Sequence, residues 1–366
     1  MFPLDAKTPT VQQWSLTVEQ ELTPSTALSA GYVGSRGYHI LGSSDLNPTR
    51  SVICSTSLGN CPAGISDGTR FYSSALQTAR LNPQLASSNA FASFVYTRYN
   101  SLQIDLRQRI SKGMSFRANY AFSKALDNGS VNVGGTFSNC PSGVMDPDNP
   151  PRDYGPACYD VTHRFAFSGS YELPIGGGKA FLGGLSGAAD KLLSGWRLNG
   201  IVSLQNGFPF TPVVGFGNSR NGGTGGNERP SANPNFSGSA ILGTPNKWFD
   251  PNAYLLPPAG TYGNLGRNTL RGPGLANLDL SLFKTTQLSE RVNLEFRAET
   301  FNLFNRANFG PPSIPLFTSV PCSVSQGNCP AGVPNGTPGA LVSSSGVIST
   351  TATTSRQIQM GLKLLF

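Results

Sequence analysis

Residues 277–305, NLDLSLFKTTQLSERVNLEFRAETFNLFN, decide the fold of this chain. In the first arm Leu278, Leu280 and Leu282 alternate with polar residues, and in the second arm apolar residues from Val292 to Ala298 do the same. A period of two is typical of an extended strand with one apolar and one polar face. Because residues 285–289 between the arms are mostly polar, the stretch predicts a long β-hairpin.

The same alternation recurs along the chain, which gives nine predicted strands together with the two arms of the hairpin. The other seven segments are residues 12–22, 26–33, 101–110, 114–123, 165–173, 196–205 and 356–366. An additional short strand is expected near Phe91 to Tyr96, and residues 188–193 have the apolar period of a short helix.

The connections between the predicted strands alternate between short and long. Transmembrane barrels combine tight turns on one side with long loops on the other, and their tilted strands have ~9–11 residues. We therefore predict an all-β protein, an antiparallel transmembrane β-barrel in which about nine or ten strands form part of a larger barrel. Long loops would lie outside and short turns in the periplasm.

The composition excludes several other classes of protein. The chain has 366 residues and a net charge of +8, but its basic residues are scattered singly, so no nucleic-acid partner is expected. Its apolar runs are far shorter than the ~18 residues of a transmembrane helix. With two histidines and no catalytic motif, the sequence predicts neither an enzyme nor a cofactor.

The six cysteines fall into three local pairs in polar stretches: Cys54 with Cys61, Cys140 with Cys158, and Cys322 with Cys329. Their spacing differs from that of zinc sites, so we predict three disulfides formed in an oxidising compartment. The alternative is free thiols in a cytosolic protein. The segments CSTSLGNCPAG at Cys54 and CSVSQGNCPAG at Cys322 are near copies.

The predicted orientation has a consequence for domain organisation. With short turns in the periplasm, nine strands would begin outside, whereas bacterial single-chain barrels have an even strand number and begin from the periplasm. Residues 1–10 also lack the basic start and apolar stretch of a signal peptide. We therefore expect residues 1–366 to be the C-terminal portion of a longer barrel, without a plug domain or signal peptide.

Several stretches resemble the β-barrel of TonB-dependent outer-membrane receptors of the Oar-like type. They include YNSLQIDLRQRISKGMSFRANYAFSKALD from Tyr99, GNLGRNTLRGPGLANLDLSLFK from Gly263, and LEFRAETFNLFNRANFG from Leu294. The resemblance implies a place in the cell outer membrane and a part in the uptake of an unidentified substrate. The implied partners are outer-membrane lipid, the N-terminal barrel and plug portion, and TonB through that portion.

The resemblance also implies an assembly signal at the C-terminus, made of Phe366 with Leu364 and Leu362, which the barrel-assembly machinery would recognise. Charged residues on the polar faces of the strands are predicted to line the lumen. There they would form a cross-strand network that contacts a plug or lines a substrate path, or they would simply hydrate the lumen. These residues are Glu19, Glu21, Asp105, Arg107, Arg109, Arg117, Glu295, Arg297 and Glu299.

Three other features are given structural interpretations. Residues 174–180 resemble a phosphate-binding loop but lack its first Gly and its Ser/Thr, and are predicted to form a turn. Asp146, Asp148, Asp153 and Asp160 lack calcium-site spacing and are expected to lie in a solvated loop, so no metal is predicted. We expect His163 to lie at the edge of the lumen.

Two alternative functions remain open at this stage. The chain could be a truncated barrel or surface adhesin that binds ligands through disulfide-pinned loops without active transport. It could also be a secreted carbohydrate-binding β-sandwich. No substrate-binding residue is identified from the sequence.

Overall fold

A computed structural model describes residues 7–45, 47–74, 79–111, 113–129, 144–223, 228–330 and 333–366. In these ranges nine long strands form one antiparallel sheet, the main sheet, in which each strand pairs with the next along the chain. The strands are β1 (Thr10–Thr23), β2 (Thr26–Asp45), β3 (Asn89–Ser111), β4 (Met114–Asp127), β5 (His163–Glu172), β6 (Trp196–Gln205), β7 (Leu275–Gln287), β8 (Asn293–Phe301) and β9 (Gln357–Leu365).

The nine predicted strands are all present, and the deciding hairpin is β7 with β8. The predicted extra strand near Phe91 is wrong as a separate element, because this stretch is the first part of β3. β3 is 23 residues long and pairs with the 20-residue β2 through two register shifts around Ile40. These bulges allow the ladder to continue beyond the segment in which the alternation is regular.

The register aligns the apolar residues of neighbouring strands on one face of the main sheet. Leu282 lies opposite Leu198 on β6 and Ala298 on β8. The same row continues through Tyr171 to Met114 in one direction and to Met360 in the other. Because the side-chain period is two, this alignment leaves the polar residues of all these strands together on the opposite face.

The protein packs its hydrophobic core in the long loops instead of against the main sheet. The larger core cluster consists of Phe210, Val214, Phe249, Ala253, Tyr254, Leu316 and Phe317, all from the β6–β7 and β8–β9 connections. The apolar face of the sheet stays exposed, with Leu16 71%, Leu362 69% and Met360 74% accessible. Apart from residues 174–195 at its short-turn end, no described segment covers this face.

The four long connections leave the main sheet at the same end and contact one another, and we call them the loop cap. They contain the short strand pairs Val52–Ile53 with Arg70–Phe71, Pro209–Phe210 with Leu270–Arg271, Ser231–Ala232 with Tyr254–Leu255, and Ile241–Thr244 with Lys247–Phe249. Gly155–Pro156 pairs with β4, and 3-10 turns span Thr56–Leu58, Pro150–Asp153 and Pro251–Ala253. All other described sheets are two-stranded, so the sandwich alternative, which needs two packed sheets, is wrong.

One α-helix, α1 (Gly187–Leu193), lies in the connection between β5 and β6, where the periodicity predicts it. Among the described residues, no helix has the length and apolar character needed to cross a membrane. The structure joins Cys54 to Cys61 and Cys322 to Cys329 by disulfides. Cys158 is disulfide-bonded as well, and Cys140 lies outside the described residues.

Candidate functional site

A cleft of about 350 Å³ lies on the polar face of the main sheet, across strands β1 to β5. Its polar lining residues are Thr17, Glu19, Ser29, Gln103, Asp105, Arg107, Arg117, Asn119 and Arg164, and the others are Gly31, Val33, Ile104, Tyr120, Ala121 and Ala166. The polar side chains converge because each occupies an alternate position of its strand, and the register sets those positions side by side. The cleft is therefore a product of the same alternation that forms the apolar face.

Asp105 and Arg117 form a short ion pair in this cleft. Arg117 Nε donates to Asp105 Oδ2 at 2.6 Å across β3 and β4, and Arg107 Nη2 lies 3.6 Å from Asp105 Oδ1. Both arginine side chains are more than half exposed, so these ion pairs contribute little to stability. Asp105 instead positions the two guanidinium groups, which keep donors free for a solute that carries hydroxyl or anionic groups.

Arg117 also borders a second cleft on the polar face, with a volume of about 410 Å³. This cleft is lined by Ser115, Ser168, Ser170 and Asn199 from strands β4 to β6, among other residues. Because the two clefts share Arg117, they form one polar groove that runs across six strands. Its hydroxyl, amide and guanidinium groups can exchange hydrogen bonds with a hydrophilic solute.

The charged residues predicted for the lumen form two separate groups. Asp105, Arg107 and Arg117 meet in the first cleft, which Glu19 also lines, while Glu21 and Arg109 line a smaller pocket beside the β1–β2 turn. At the other side of the sheet, Gln359 Nε2 donates to Glu299 Oε2 at 2.5 Å, and Arg297 Nε lies 3.8 Å from the same oxygen. Glu295 lies opposite Lys363 in the register of β8 and β9.

Buried ion pairs join the long connections of the loop cap. Arg229 pairs with Asp153 and Arg267 pairs with Asp127, and all four side chains are at most 7% exposed. Arg271 pairs with Asp160, whose side chain is fully buried. Arg267 and Arg271 belong to the GNLGRNTLRGPG stretch that carries the family resemblance, so this motif fixes the β6–β7 loop to the β4–β5 loop.

The expectation of a solvated acidic loop is wrong for three of its four aspartates. Asp146, Asp153 and Asp160 are 5%, 2% and 1% exposed, whereas Asp148 pairs with Arg70 near the surface. Arg229 and Arg271 from a distant loop neutralise Asp153 and Asp160, which the local sequence does not reveal, whereas Asp146 pairs with Arg152 of its own loop. In the described residues, no group of three or more His, Cys, Asp and Glu is arranged to hold a metal ion.

Burial raises the pKa of several groups in the loop cap. It raises the pKa of Asp146 above its ordinary value, although Arg152 opposes the shift. It also raises the pKa of Tyr72 to about 12 and that of the neighbouring Tyr262 still further. Tyr262 accepts a hydrogen bond from Asn221 Nδ2 at 2.6 Å, and its ring lies edge-on to that of Tyr72. The cap therefore holds these phenols in their neutral form.

The structure corrects the placement of His163, which we expected at the edge of the lumen. His163 lies opposite Phe122 on the apolar face, and its Nδ1 is 2.7 Å from the hydroxyl of Tyr120. The ring packs against both aromatic neighbours. The physical reason is the period of two, since His163 shares its face with Phe165 and Phe167, while Arg164 points into the cleft.

Residues 174–180, which resemble a phosphate-binding loop, form a turn as predicted. The Asp190 carboxylate accepts a hydrogen bond from the amide of Gly177 at 2.5 Å. This carboxylate takes the amide that a phosphate would need, so the turn is stabilised internally.

The segments 54–69 and 322–337, of which the structure describes all but residues 331–332, share one small module. The sequences CSTSLGNCPAGISDGT and CSVSQGNCPAGVPNGT are identical at 11 of 16 positions. In both, the amide after the first cysteine donates to the Asn side chain five residues later, at 2.6 Å in one copy and 2.7 Å in the other. The amides of Gly68 and Gly336 likewise donate to the carbonyls of Cys54 and Cys322. Each copy exposes one apolar side chain at its tip, Leu58 or Val324.

Comparison with known proteins gives one family match and a distant structural neighbour. The family model described as "Outer membrane beta barrel domain" matches residues 1–359. No curated protein matches the sequence significantly. Among solved structures, the outer membrane transporter YddB from Escherichia coli is similar over 99% of this chain, with 10% sequence identity and a TM-score of 0.40. The chain spans 33% of that protein.

Proposed function

Because the chain belongs to the outer membrane beta barrel domain family, we propose that its polar groove lines the path of a hydrophilic solute across that membrane. The chain lies in the outer membrane, with the apolar face of its main sheet toward lipid and the polar face toward the lumen. We propose that its long loops lie outside and its short turns in the periplasm, as in other transmembrane barrels. We propose further that uptake is TonB-dependent, as in the Oar-like receptors that the sequence resembles.

The observation that carries this proposal is the pair of clefts that share Arg117. Polar side chains from all six strands line the groove, with Ile201 among them, and Asp105 pairs with Arg107 and Arg117 while both arginine side chains stay more than half exposed. A groove that served only to hydrate the lumen would not need arginines held by a carboxylate. The arrangement fits a solute with several hydroxyl groups or with an anionic group.

The free edges of the main sheet support a larger assembly. In the part of the chain that the structure describes, no strand pairs with the outer edge of β1 or of β9. Unpaired backbone groups are not tolerated in lipid, so both edges require partners. We propose that further strands of the same receptor pair with them, that a plug occupies the lumen, and that TonB acts through that plug.

The C-terminal residues fit a role in assembly. Leu362 and Leu364 lie on the apolar face of β9, opposite Phe296 and Leu294, and Phe366 is 96% exposed directly after the strand. We propose that these three side chains form the signal that the barrel-assembly machinery binds. Their exposure at an unpaired edge leaves them free for that contact.

Uptake by whole cells tests the transport proposal. A strain that lacks the gene is grown beside the parent, and the solutes that remain in each medium are compared. We expect at least one oligosaccharide, peptide or anionic chelate to persist only with the deletion strain, and its uptake by the parent to stop when the proton gradient is collapsed.

Variants then link the solute to the groove. Arg117→Ala should lower uptake several-fold, whereas Lys247→Ala, which removes an exposed loop ion pair, should not. Identical depletion by the parent and the deletion strain would contradict transport. Uptake that continues after the gradient is collapsed would contradict TonB dependence alone.

The duplicated module supports a second candidate, ligand binding at the cell surface without active transport. Two copies of one disulfide-closed module, in two different outer loops, each present an exposed apolar side chain that a surface ligand can contact, and engaging both would raise the avidity. The double variant Leu58→Asp with Val324→Asp should weaken binding of whole cells to such a ligand while leaving solute uptake unchanged. Loss of uptake in this variant would instead assign the tips to the transport path.

A further inference from the structure

The connection between β5 and β6, residues 174–195, lies at the short-turn end on the lipid-facing side of the main sheet. The amide of Glu172 donates to Gly113 O at 2.8 Å, which sets the start of the connection beside the tight β3–β4 turn. At its other end, Ser194 O accepts a hydrogen bond from Lys284 Nζ at 2.5 Å. Lys284 lies opposite Trp196 and Phe296 in the apolar rows, so Ser194 is held against the lipid-facing side.

Helix α1 in this connection turns its polar side toward the protein. The Asp190 carboxylate binds the Gly177 amide, and its charge interacts with Lys284. Successive helical residues are ~100° apart, so Ala188, Ala189, Leu192 and Leu193 share one arc of ~140°. Leu192 is 68% exposed and Leu193 40%, so the apolar side of the helix points away from the protein. An amphipathic helix that packs against a core has the opposite orientation.

The turn before α1 exposes two further large apolar side chains. Phe181 is 63% exposed and Leu182 is 55% exposed. Two backbone hydrogen bonds hold this turn. The Phe181 amide donates to Pro174 O at 2.9 Å, and the Gly176 amide donates to Phe181 O at 3.0 Å. Leu182 has a φ of 58°, a left-handed conformation that bulky residues rarely adopt. The chain thus maintains an unfavourable backbone at the point where it displays a leucine.

We propose that residues 174–195 lie in the periplasmic leaflet of the outer membrane, with Phe181, Leu182, Leu192 and Leu193 among the lipids at headgroup depth. The occupant is lipid because the four side chains adjoin a surface that lipid already covers, the apolar rows that include Trp196 and Phe296. The polar side of α1 is satisfied by the protein itself. Lys191 is exposed beside the apolar arc, where interfacial helices carry cations for lipid phosphates.

Spin labels in proteoliposomes test the proposal, since all cysteines of the described residues are disulfide-bonded and a new thiol can be labelled alone. Leu192→Cys and Phe181→Cys are labelled, with Phe167→Cys as the lipid reference and Ser237→Cys in an outer loop as the aqueous reference. We expect both test labels to lie between the two references: they should collide with a water-soluble nickel chelate less often than the Ser237 label, and with oxygen less often than the Phe167 label.

Two results would overturn the proposal. Free collision with the nickel chelate means that the segment faces water, and protection from both reagents means that protein covers it, either a second copy or a periplasmic partner. Phe181→Trp provides a second measurement that tolerates a changed side chain. Its added fluorescence, over the three native tryptophans, should be quenched by lipids brominated near the headgroup and less by lipids brominated at the chain ends.

Discussion

Arg229 and Asp153, which are 76 residues apart in the chain, form an ion pair in which neither side chain is more than 4% exposed. The pair joins the β6–β7 loop to the β4–β5 loop, and the second carboxylate oxygen of Asp153 accepts from the Met145 amide at 2.7 Å. The loop cap therefore depends on charges that are buried in opposite pairs.

Removing one partner of this pair should destabilise the loop cap strongly. Asp153→Ala leaves the Arg229 guanidinium buried without its carboxylate, which costs ~3–5 kcal/mol for a buried pair. The matched control is Asp148→Ala, which breaks the 2.6 Å pair with Arg70 at the surface and should cost under ~1 kcal/mol. Urea unfolding followed by protease protection of the loops measures both. Equal losses in the two variants would contradict the burial of the Arg229–Asp153 pair.

Neighbouring positions of one strand should respond in opposite ways to a charge. Leu198→Arg places a guanidinium on the lipid-facing side of β6 and should destabilise the protein by ~2–4 kcal/mol if the position lies near the bilayer midplane. Asn199→Arg places the same group in the polar groove and should change stability by less than ~1 kcal/mol. Reversible unfolding in liposomes checks the difference. A larger loss for Asn199→Arg would reverse the assignment of the two faces.

The two small disulfides should stabilise their modules by similar amounts. Each pairs cysteines seven residues apart, and closing so short a loop contributes ~2–3 kcal/mol. Replacing Cys54 and Cys61 together with serine should therefore expose residues 54–69 to protease, and the same change at Cys322 and Cys329 should do so at 322–337. Cleavage rates of the two variants, each compared with the parent, test this. If only one variant is cleaved faster, the other module must be held by contacts with its own neighbouring residues instead of by its disulfide.

Alkaline pH should loosen the loop cap through Tyr72. Its pKa is 10.0 when exposed and about 12 in the folded protein, because burial disfavours the phenolate. The folded state therefore keeps a proton that the unfolded state releases. This stabilisation is complete below pH 10 and is lost as the pH rises toward about 12. Tyr72→Phe should make the cap less sensitive to pH in this range, as followed by near-ultraviolet circular dichroism. Tyr154→Phe, at a residue 47% exposed, is the control, and its pH dependence should match that of the parent.

The strands were predictable from sequence because their alternation is a local property. β7 and β8 follow the Leu278 and Leu294 rows, but the turn lies later than the predicted residues 285–289, because β7 continues to Gln287 and Val292 lies in the turn. The same rule assigns His163 to the face of Phe165, so its expected place at the lumen was an error in applying the pattern. The extension of β3 could not be predicted, because it depends on bulges that reset the register with β2.

The groove was partly predictable and the loop cap was not. Asp105 and Arg117 fall on the polar face by their spacing alone, but their 2.6 Å contact depends on the register of β3 with β4. The pairing of Asp127 with Arg267 joins residues 140 positions apart, and no local pattern specifies it. The two arginines of the GNLGRNTLRGPG stretch did indicate such pairs, since no acidic residue lies near them in this glycine-rich loop and their partners must come from elsewhere in the chain.

The modules at 54–69 and 322–337 show that one arrangement of hydrogen bonds can form in two different loops. Their neighbours differ, since one adjoins Arg70 and the other Pro338, yet both close with the same Asn and Gly hydrogen bonds. The hydrogen bonds that close each module lie within the module itself, and they do not involve the exposed apolar side chain at its tip. Substitution of Leu58 or Val324 can therefore change the side chain that the module exposes while the backbone of the loop stays the same.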